Sequence, residues 1–347
     1  MPELRAALIG LGMVAGTHVR AIRDAEGVSL AGVVARDRAK AETFSREHGA
    51  ARVFRDVAEI TADVGVDFAI LATPPNARAA IVRVLAEAGK PILMEKPVER
   101  TLDAAVDIVA TCERAGVPLG IVLQHRARPS ALALKRVLGD NTLGEIAAVE
   151  VNVPWWRPQS YYDEPGRGTF ARDGGGVLVS QAIHAIDLAL HLAAPTQGPV
   201  TRVSAQLATT ALHRMEAEDH ATVGFRMAGG AVGSIVATTA ARPGGTEWIA
   251  LHGTRGSAML RGDALTLDMA DGTRREIGGG ETGTGGGADP MAFTHDWHRA
   301  VIEDFAGVVR EGGAPLASGR DALAVHRLID AATRSSAEGR AVELEDA

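Results

Sequence analysis

Between Ala6 and Leu123 five short apolar runs alternate with stretches of helical periodicity, and this alternation restricts the fold more than any other feature. The runs are Ala6–Ile9, Leu30–Val34, Phe68–Ala72, Ile92–Met94 and Leu119–Leu123. Asn76–Ala88 and Thr101–Arg114 carry helical spacing, and Gly89 and Gly116 stand just past their ends, where glycine is the usual stop. Strands without polar alternate residues are buried on both faces. That is the condition of a parallel sheet covered by helices on each side, so the first part of the chain reads as α/β.

The pattern changes near Ile146. A strand-like stretch, EIAAVEVNVP, leads into the aromatic segment WWRPQSYYDEPGRG and then a helix over Val177–Leu192. Alternating or β-rich runs follow at Val200–Thr210, His220–Met227, Ala231–Thr239, Glu247–His252, Gly256–Leu260 and Ala264–Met269. Tight turns such as Ala228-Gly229-Gly230 separate them, the pattern of an antiparallel meander. A glycine-rich loop covers 278–287, and helical stretches at His295–Val309 and Arg320–Ser335 complete the chain. A length of 347 residues calls for two domains rather than one small core.

The net charge of −7 argues against a nucleic-acid binder, which needs a basic face. Cys112 is the sole cysteine, so no intrachain disulfide forms and a reducing, cytoplasmic setting is the default expectation. In step with Leu102, Val106 and Val109, it reads as a buried structural thiol. No apolar run approaches the roughly 18–20 residues of a membrane span. The apolar start is broken by glycines and followed by His18, Arg20 and Arg23, so it reads as strand, turn and helix of the mature protein.

In LIGLGMVAG, Gly10, Gly12 and Ala15 have the G-x-G-x-x-A spacing between a strand and a helix. The first glycine permits a tight turn and the second lets the main chain approach a pyrophosphate. The small third residue lets helix and strand pack closely, while the helix N-terminus favours negative charge. Dinucleotide binding is therefore expected, with Met13 and Val14 in the same turn. Past the second strand an acidic residue normally holds a ribose 2′-hydroxyl. Here VVARDRAK places Ala35 at that position and Arg36 next, with Arg38 and Lys40 near. Removing the anion and supplying a guanidinium suits a 2′-phosphate, so NADP is favoured over NAD. The alternative makes Asp37 the ribose ligand, or the N-cap of the next helix with Arg36 in solvent.

Ligands of open parallel sheets bind outside the carboxyl ends of the strands. Thr73-Pro74-Pro75 closes one strand, with Asn76 next, and Glu95-Lys96 closes another. Lys96 then lies near the reactive end of the dinucleotide, or else is a surface lysine paired with Glu95. The helix in GGGVLVSQAIHAIDLALHL carries Ser180, His184, Asp187 and His191 at i, i+4, i+7 and i+11, with Gln181 beside them and apolar residues elsewhere. So apolar a helix is buried, and its polar stripe lines a cavity or a polar contact. A structural role for His184 stays open. No carboxylate or cysteine cluster completes a metal site here.

These residues resemble the glucose-fructose oxidoreductase/inositol dehydrogenase (Gfo/Idh/MocA) family along nearly the whole chain. The resemblance rests on GLGMVAG, ATPPN, AGKPILMEKP, LGEI, DGGGVLVSQAIHAID, EDHATVGF with GGAVGS, and a C-terminal H…IEDF. It implies a Rossmann domain at 1–123 and an α+β domain at 124–347 with a large open, mostly antiparallel sheet. The helices at 295–335 are placed against the first domain, and the sheet is expected to form homodimers or homotetramers. It further implies that Lys96 is the catalytic lysine, followed by a cis bond to Pro97, and that His184 is the catalytic histidine. Ser180 stands where aspartate is frequent, which leaves open whether Lys96 or His184 is the principal base. Asp187, one turn on, is the candidate to compensate. Arg78 replaces a frequent histidine. Thr73, Pro74, Asn76, Glu95, Lys96 and Gln124 are expected to line the cofactor; Arg126, Arg157, Tyr161, Ser180, Gln181 and His184 the substrate.

The implied reaction is hydride transfer between a nicotinamide and a carbinol carbon of a sugar, sugar acid, sugar nucleotide or cyclic polyol, with Lys96 and His184 handling the hydroxyl proton. Two other readings compete. One is a non-redox hydrolase or lyase using transient hydride transfer on a tightly held cofactor. The other is a nucleotide-sensing regulator, which would need neither Lys96 nor His184.

Overall fold

The computed structural model describes residues 3–49, 52–279 and 286–344. Most of the glycine-rich loop expected at 278–287 falls at 280–285, outside the described residues. The chain divides into two compact units: Met1–Ala127 with His295–Leu323, and Arg128–Thr294 with Ala324–Ala347.

The first unit follows the alternation seen in the sequence: β1 (Leu4–Ile9), α1 (Ala15–Asp24), β2 (Val28–Val34), α2 (Arg38–His48), α3 (Val57–Ala62), β3 (Phe68–Leu71), α4 (Arg78–Glu87), β4 (Ile92–Glu95), α5 (Leu102–Arg114) and β5 (Leu119–Val122). The five strands are parallel, in the order β2-β1-β3-β4-β5. The order reverses at β1/β3, which opens a crevice at the carboxyl ends of those strands. Ala7 and Ile9 of β1 join one apolar cluster with Val82, Leu85 and Ile108 from α4 and α5. Ala6 and Leu8 join another with Val19 and Ile22 of α1. Two covered faces are why these strands carry no polar alternation.

The buried face of α5 is Ala105, Ile108, Val109 and Cys112, whereas Val106 is exposed, so the expected Leu102–Val106 stripe is displaced by one position. Burial pushes the Cys112 thiol up to about 12, with help from Glu113, which leaves it inert.

The second unit comprises α6 (Pro129–Gly139), β6 (Ile146–Pro154), α7 (Gln159–Tyr162), a π-helical turn (Leu178–Ala182), α8 (Ile183–Gln197), then β7 (Val200–Ala208), β8 (His220–Met227), β9 (Val232–Thr238), β10 (Trp248–Gly253), β11 (Gly256–Arg261), β12 (Ala264–Met269) and β13 (Arg274–Gly278). These strands form one sheet in the order β13-β12-β11-β10-β6-β9-β8-β7-β14, closed at its far edge by β14 (Val342–Glu343). It is not the simple meander expected. β6 inserts between β9 and β10, parallel to the first and antiparallel to the second. Val149, Val151 and Val153 of β6 are all buried, which suits a central position. At the opposite edge β13 is exposed throughout and carries Arg274, Arg275 and Glu276, charges that blunt an open edge. Alternate residues of β6 and β8–β12 pack with Leu134 of α6 and Ile183, Ile186 and Leu190 of α8.

Leu178–Gln197, 20 residues with mean hydropathy 1.2, is long and apolar enough to cross a membrane by length and composition, although Ser180, Gln181, His184, Asp187 and His191 interrupt its apolar run. It is 78% buried inside the protein, and its apolar character belongs to the core.

The remaining helices are α9 (Asp296–Glu311) and α10 (Gly319–Glu338). Ile302 and Phe305 of α9 complete the α1 face of the first sheet. His295 Nε2 donates to Asp24 Oδ2 at 2.6 Å, and Glu26 N donates to Glu303 Oε1 at 3.0 Å. Against the expected boundaries, the first unit extends through a 3-10 turn at Gln124–Ala127 and recovers only His295–Leu323 of the C-terminal helices. Arg126 holds that turn by donating to Leu316 O at 3.1 Å. From Val325 onward α10 packs in the core of the second unit.

Candidate active site

Gly10 follows β1 with φ +96°. A Cβ there would lie 2.8 Å from Thr73 Cγ2 and 2.9 Å from Ala72 C and Thr73 N, so only glycine fits between β1 and β3. At Gly12 a Cβ would meet only Ala72 O, at 3.9 Å, which leaves an open approach to the main chain. Ala15, the small third residue, is fully buried at the start of α1. The first turn of α1 has no acidic residue and no side-chain cap at Val14, so its amides are suited to an anion. Met13 beside them is 47% exposed. Beyond β2, Ala35 is half-buried and Arg36 exposed. Asp37 accepts from Lys40 N at 3.1 Å and caps α2, one of the alternatives left open by the sequence.

β3 ends at Leu71, and Thr73 and Pro74 lead into a 3-10 turn at Pro75–Ala77 that contains Asn76. β4 delivers Glu95 and then Lys96, whose bond to Pro97 is cis. Arg78, 2% exposed, reaches both strand ends. Its Nε and Nη2 donate to Thr73 O at 3.1 and 2.8 Å, and its Nη1 donates to the carbonyls of Glu95 and Pro97. Burial brings the guanidinium down to about 10, opposed by the carboxylates of Glu95 and Glu99.

The Glu95 side chain is engaged by two histidines. Its Oε1 accepts from His18 Nε2 at 2.9 Å and lies 3.5 Å from His298 Nε2. The two imidazoles meet edge to face at 5.2 Å. Burial alone would raise the Glu95 carboxyl, but hydrogen bonds from His18 and His298 hold it well below the usual range. Burial also lowers His298. The ligand-type atoms of this trio lie within 4.8 Å of one another. A direct 2.9 Å contact between two of them is a hydrogen bond, and we describe the trio as a hydrogen-bonded array. It ties α1, β4 and α9 together. Gln124 and Arg126, expected near cofactor and substrate, are buried in the turn after β5; Arg126 is directed to Leu316 and lies 3.9 Å from Asp321.

In the second unit Glu218, just before β8, caps the start of the catalytic-candidate helix. Its carboxylate accepts from Gly176 N at 2.9 Å and Leu178 N at 3.1 Å, and its carbonyl accepts from Val177 N at 2.8 Å. The chains approach so closely that a Cβ on Gly176 would sit 1.7 Å from Glu218 O. The turn that follows is π rather than α, a form frequent at functional sites. It takes up an extra residue, so the polar stripe expected from Ser180 to His191 is interrupted at its start. Ser180 Oγ bonds Gly176 O and is in contact with Gln181 Oε1. His184 and Asp187 follow, 6% and 2% exposed.

Gln181 Nε2 donates to Tyr161 Oη at 3.3 Å, and Arg167 Nη1 donates to the same oxygen at 2.9 Å. Arg157 and Arg167 stand over the Tyr161 ring at 5.7 and 4.5 Å. Arg157 is buried, which lowers its pKa, and donates to Trp156 O at 2.8 Å and Gly287 O at 2.5 Å. His213 bridges Asp219 Oδ2 at 2.7 Å and the carbonyl of Arg157 at 2.8 Å, which fixes the aromatic segment. Arg157, Tyr161, Ser180 and Gln181 are thus brought into one cluster. Arg167, within the aromatic segment WWRPQSYYDEPGRG, joins it, although the sequence assigns it no role. His18, Arg78, His298 and Glu218 were likewise not assigned roles from the sequence.

Residues 4–122 match the family described as an oxidoreductase family with an NAD-binding Rossmann fold, and residues 131–259 match the GFO/IDH/MocA C-terminal domain. D-apiose dehydrogenase from Paraburkholderia graminis is 29% identical over 99% of this chain and 90% of its own length. Inositol 2-dehydrogenase from Rhizobium meliloti is 25% identical over 98% of this chain and 99% of its own. Among solved structures, the WlbA dehydrogenase from Bordetella pertussis, in complex with NADH and UDP-GlcNAcA, superposes with a TM-score of 0.84 at 28% identity, over 100% of this chain and 99% of that one.

Proposed function

The chain belongs to the GFO/IDH/MocA family of oxidoreductases, and from that premise we propose that it transfers hydride between a nicotinamide and a carbinol carbon of a sugar, sugar acid, sugar nucleotide or cyclic polyol, with NADP favoured over NAD and with Lys96 and His184 handling the hydroxyl proton. It is a dehydrogenase of CH–OH groups with an NAD(H)-binding Rossmann unit. The observation that carries the finer reading is the position of Lys96 at the end of β4, one strand from the β1/β3 crevice lined by Gly10 and Thr73.

The nicotinamide, when bound, supplies the hydride acceptor or donor. The turn at Gly10 and Gly12 and the amides of α1 fit its pyrophosphate. The absence of a carboxylate at Ala35 and the guanidinium of Arg36 next to it support a 2′-phosphate. Lys96 and His184 take or return the hydroxyl proton, and removal of either lowers turnover about 10²- to 10⁴-fold. Tyr161, Gln181 and Ser180 bind substrate, with Arg157 and Arg167 giving this cluster a cationic character that suits a carboxylate or phosphate. Residues of the second sheet turned away from its helices, Val232, Val236 and Met259 among them, support self-association through that face; light scattering on eluting protein measures the assembly size.

The test is a panel of sugars, sugar acids, inositols and sugar nucleotides, each with NADP⁺ and NAD⁺, followed by absorbance of the reduced nicotinamide. Turnover with at least one class, better with NADP⁺, is expected. Cofactor that stays bound without net reduction would direct the assignment to transient hydride chemistry instead. Arg36→Ala is expected to lower kcat/KM for NADP⁺ about tenfold or more and leave NAD⁺ little changed.

A further inference from the structure

Arg78 opens α4 almost fully buried, yet its acceptors are three main-chain carbonyls. Thr73 closes the β3 end, and Glu95 and Pro97 are the residues on either side of Lys96. Carbonyls at the ends of buried strands need donors from elsewhere. A guanidinium offers five N–H groups in one rigid plane and can span all three; an imidazole offers two at most, and an ammonium has no fixed plane. A second, independent hold acts on the same point, since the Glu95 side chain is fixed by His18 and by the nearby His298.

We propose that Arg78 is a positioning residue for Lys96, tying the main chain on both sides of it to the end of β3 so that the amine is presented in one place. This role rests on the assignment of Lys96 to proton handling. Arg78 touches neither substrate nor reacting atoms in this role and acts through Lys96 alone.

The chain has four lysines, Lys40, Lys90, Lys96 and Lys135, so carbon-13 at lysine Cε gives a spectrum that single Lys→Arg variants assign. In full-length Arg78→Lys, whose added fifth signal is recognised by its absence from the native protein and from Arg78→His, the Lys96 signal is expected to move and broaden while the other three native signals stay in place. With the best substrate of the panel, kcat falls roughly 10- to 100-fold, as for a displaced catalytic group. The dissociation constants of NADP⁺ and NAD⁺ stay within about twofold. Arg78→His, with fewer N–H groups, shows the same pattern more strongly and serves if the lysine variant does not fold. A native Lys96 signal, a native kcat, or a loss fully explained by weaker cofactor binding each overturns the proposal. Lys96→Met separates the two assignments. If it retains turnover, the role of Lys96 fails and that of Arg78 with it. If it is inactive while the Arg78 variants match the native enzyme, only the role of Arg78 falls.

Discussion

Arg78 in the first unit and Glu218 in the second act on main-chain ends of opposite polarity. The end of β4 presents carbonyls, and a buried cation gathers those on both sides of Lys96. The start of the helix leading to His184 presents amides, and a buried carboxylate gathers those of Gly176 and Leu178. Burial opposes the charge in both cases: it lowers the Arg78 guanidinium to about 10 and raises the Glu218 carboxyl. The difference teaches that the sign of a buried charge at a chain end follows from which end of a strand or helix it serves. The two mounts also differ in tolerance. Arg78 is one side chain reaching two strand ends, whereas Glu218 lies main chain against main chain with Gly176.

That difference in tolerance gives the largest expected effect. Gly176→Ala forces a Cβ to 1.7 Å from Glu218 O and 2.6 Å from Glu218 C, main-chain atoms that cannot swing aside. We expect a loss of at least about 4 kcal/mol in urea unfolding, or no recovery of folded protein. Gly307→Ala on α9 is the control: nothing lies within 4 Å, and the change is expected to be neutral or stabilising by about 0.5–1 kcal/mol. Next come Lys96→Met and His184→Asn, each expected to reduce kcat about 10²- to 10⁴-fold without altering the urea midpoint. A near-native rate in one of them would leave the other as the sole proton-handling group. Glu218→Gln follows, with about 1–3 kcal/mol lost, because an amide nitrogen then faces main-chain N–H groups.

The mounted elements were legible in the sequence, but the mounts were not. Continuous apolar runs located β1 to β5, and the G-x-G-x-x-A spacing located the turn at Gly10, because both depend on neighbours along the chain. The placement of β6 beside β9 was not legible, since hairpin spacing says nothing about a parallel neighbour from a distant segment. Arg78 looked like a replacement of a common histidine; its acceptors are carbonyls, which carry no sequence signature. Glu218 lies 42 residues from Gly176, and His298 is 203 residues beyond Glu95, so no local pattern could pair them. The π turn was hidden for another reason. The apolar spacing of Val177–Leu192 fits an α-helix well, and the extra residue shows only in the main-chain bonding.

The smallest effect is a difference in the response to acid. The folded first unit keeps His298 neutral by burial and Glu95 ionised by its histidine partners, so both groups bind protons less readily than in the unfolded chain. Their contribution is complete above the unfolded values of 6.5 and 4.5 and is lost as pH falls through those ranges toward the folded ones. Glu218 has the opposite sign. Its folded carboxyl binds a proton more readily than the unfolded one, so its contribution grows as pH falls from above the folded value toward 4.5. Hydrogen exchange at pH 7.5 and 5.5, corrected for intrinsic rates, separates the two regions. Peptides covering β4 and α9 are expected to lose protection at the lower pH, while those covering Gly176–His184 hold or gain it. Glu218→Gln should abolish the gain and leave the loss in the first unit untouched, because the residue removed titrates in one unit alone. If both regions shifted together in the native protein and in the variant, a common cause would have replaced the two opposed charges.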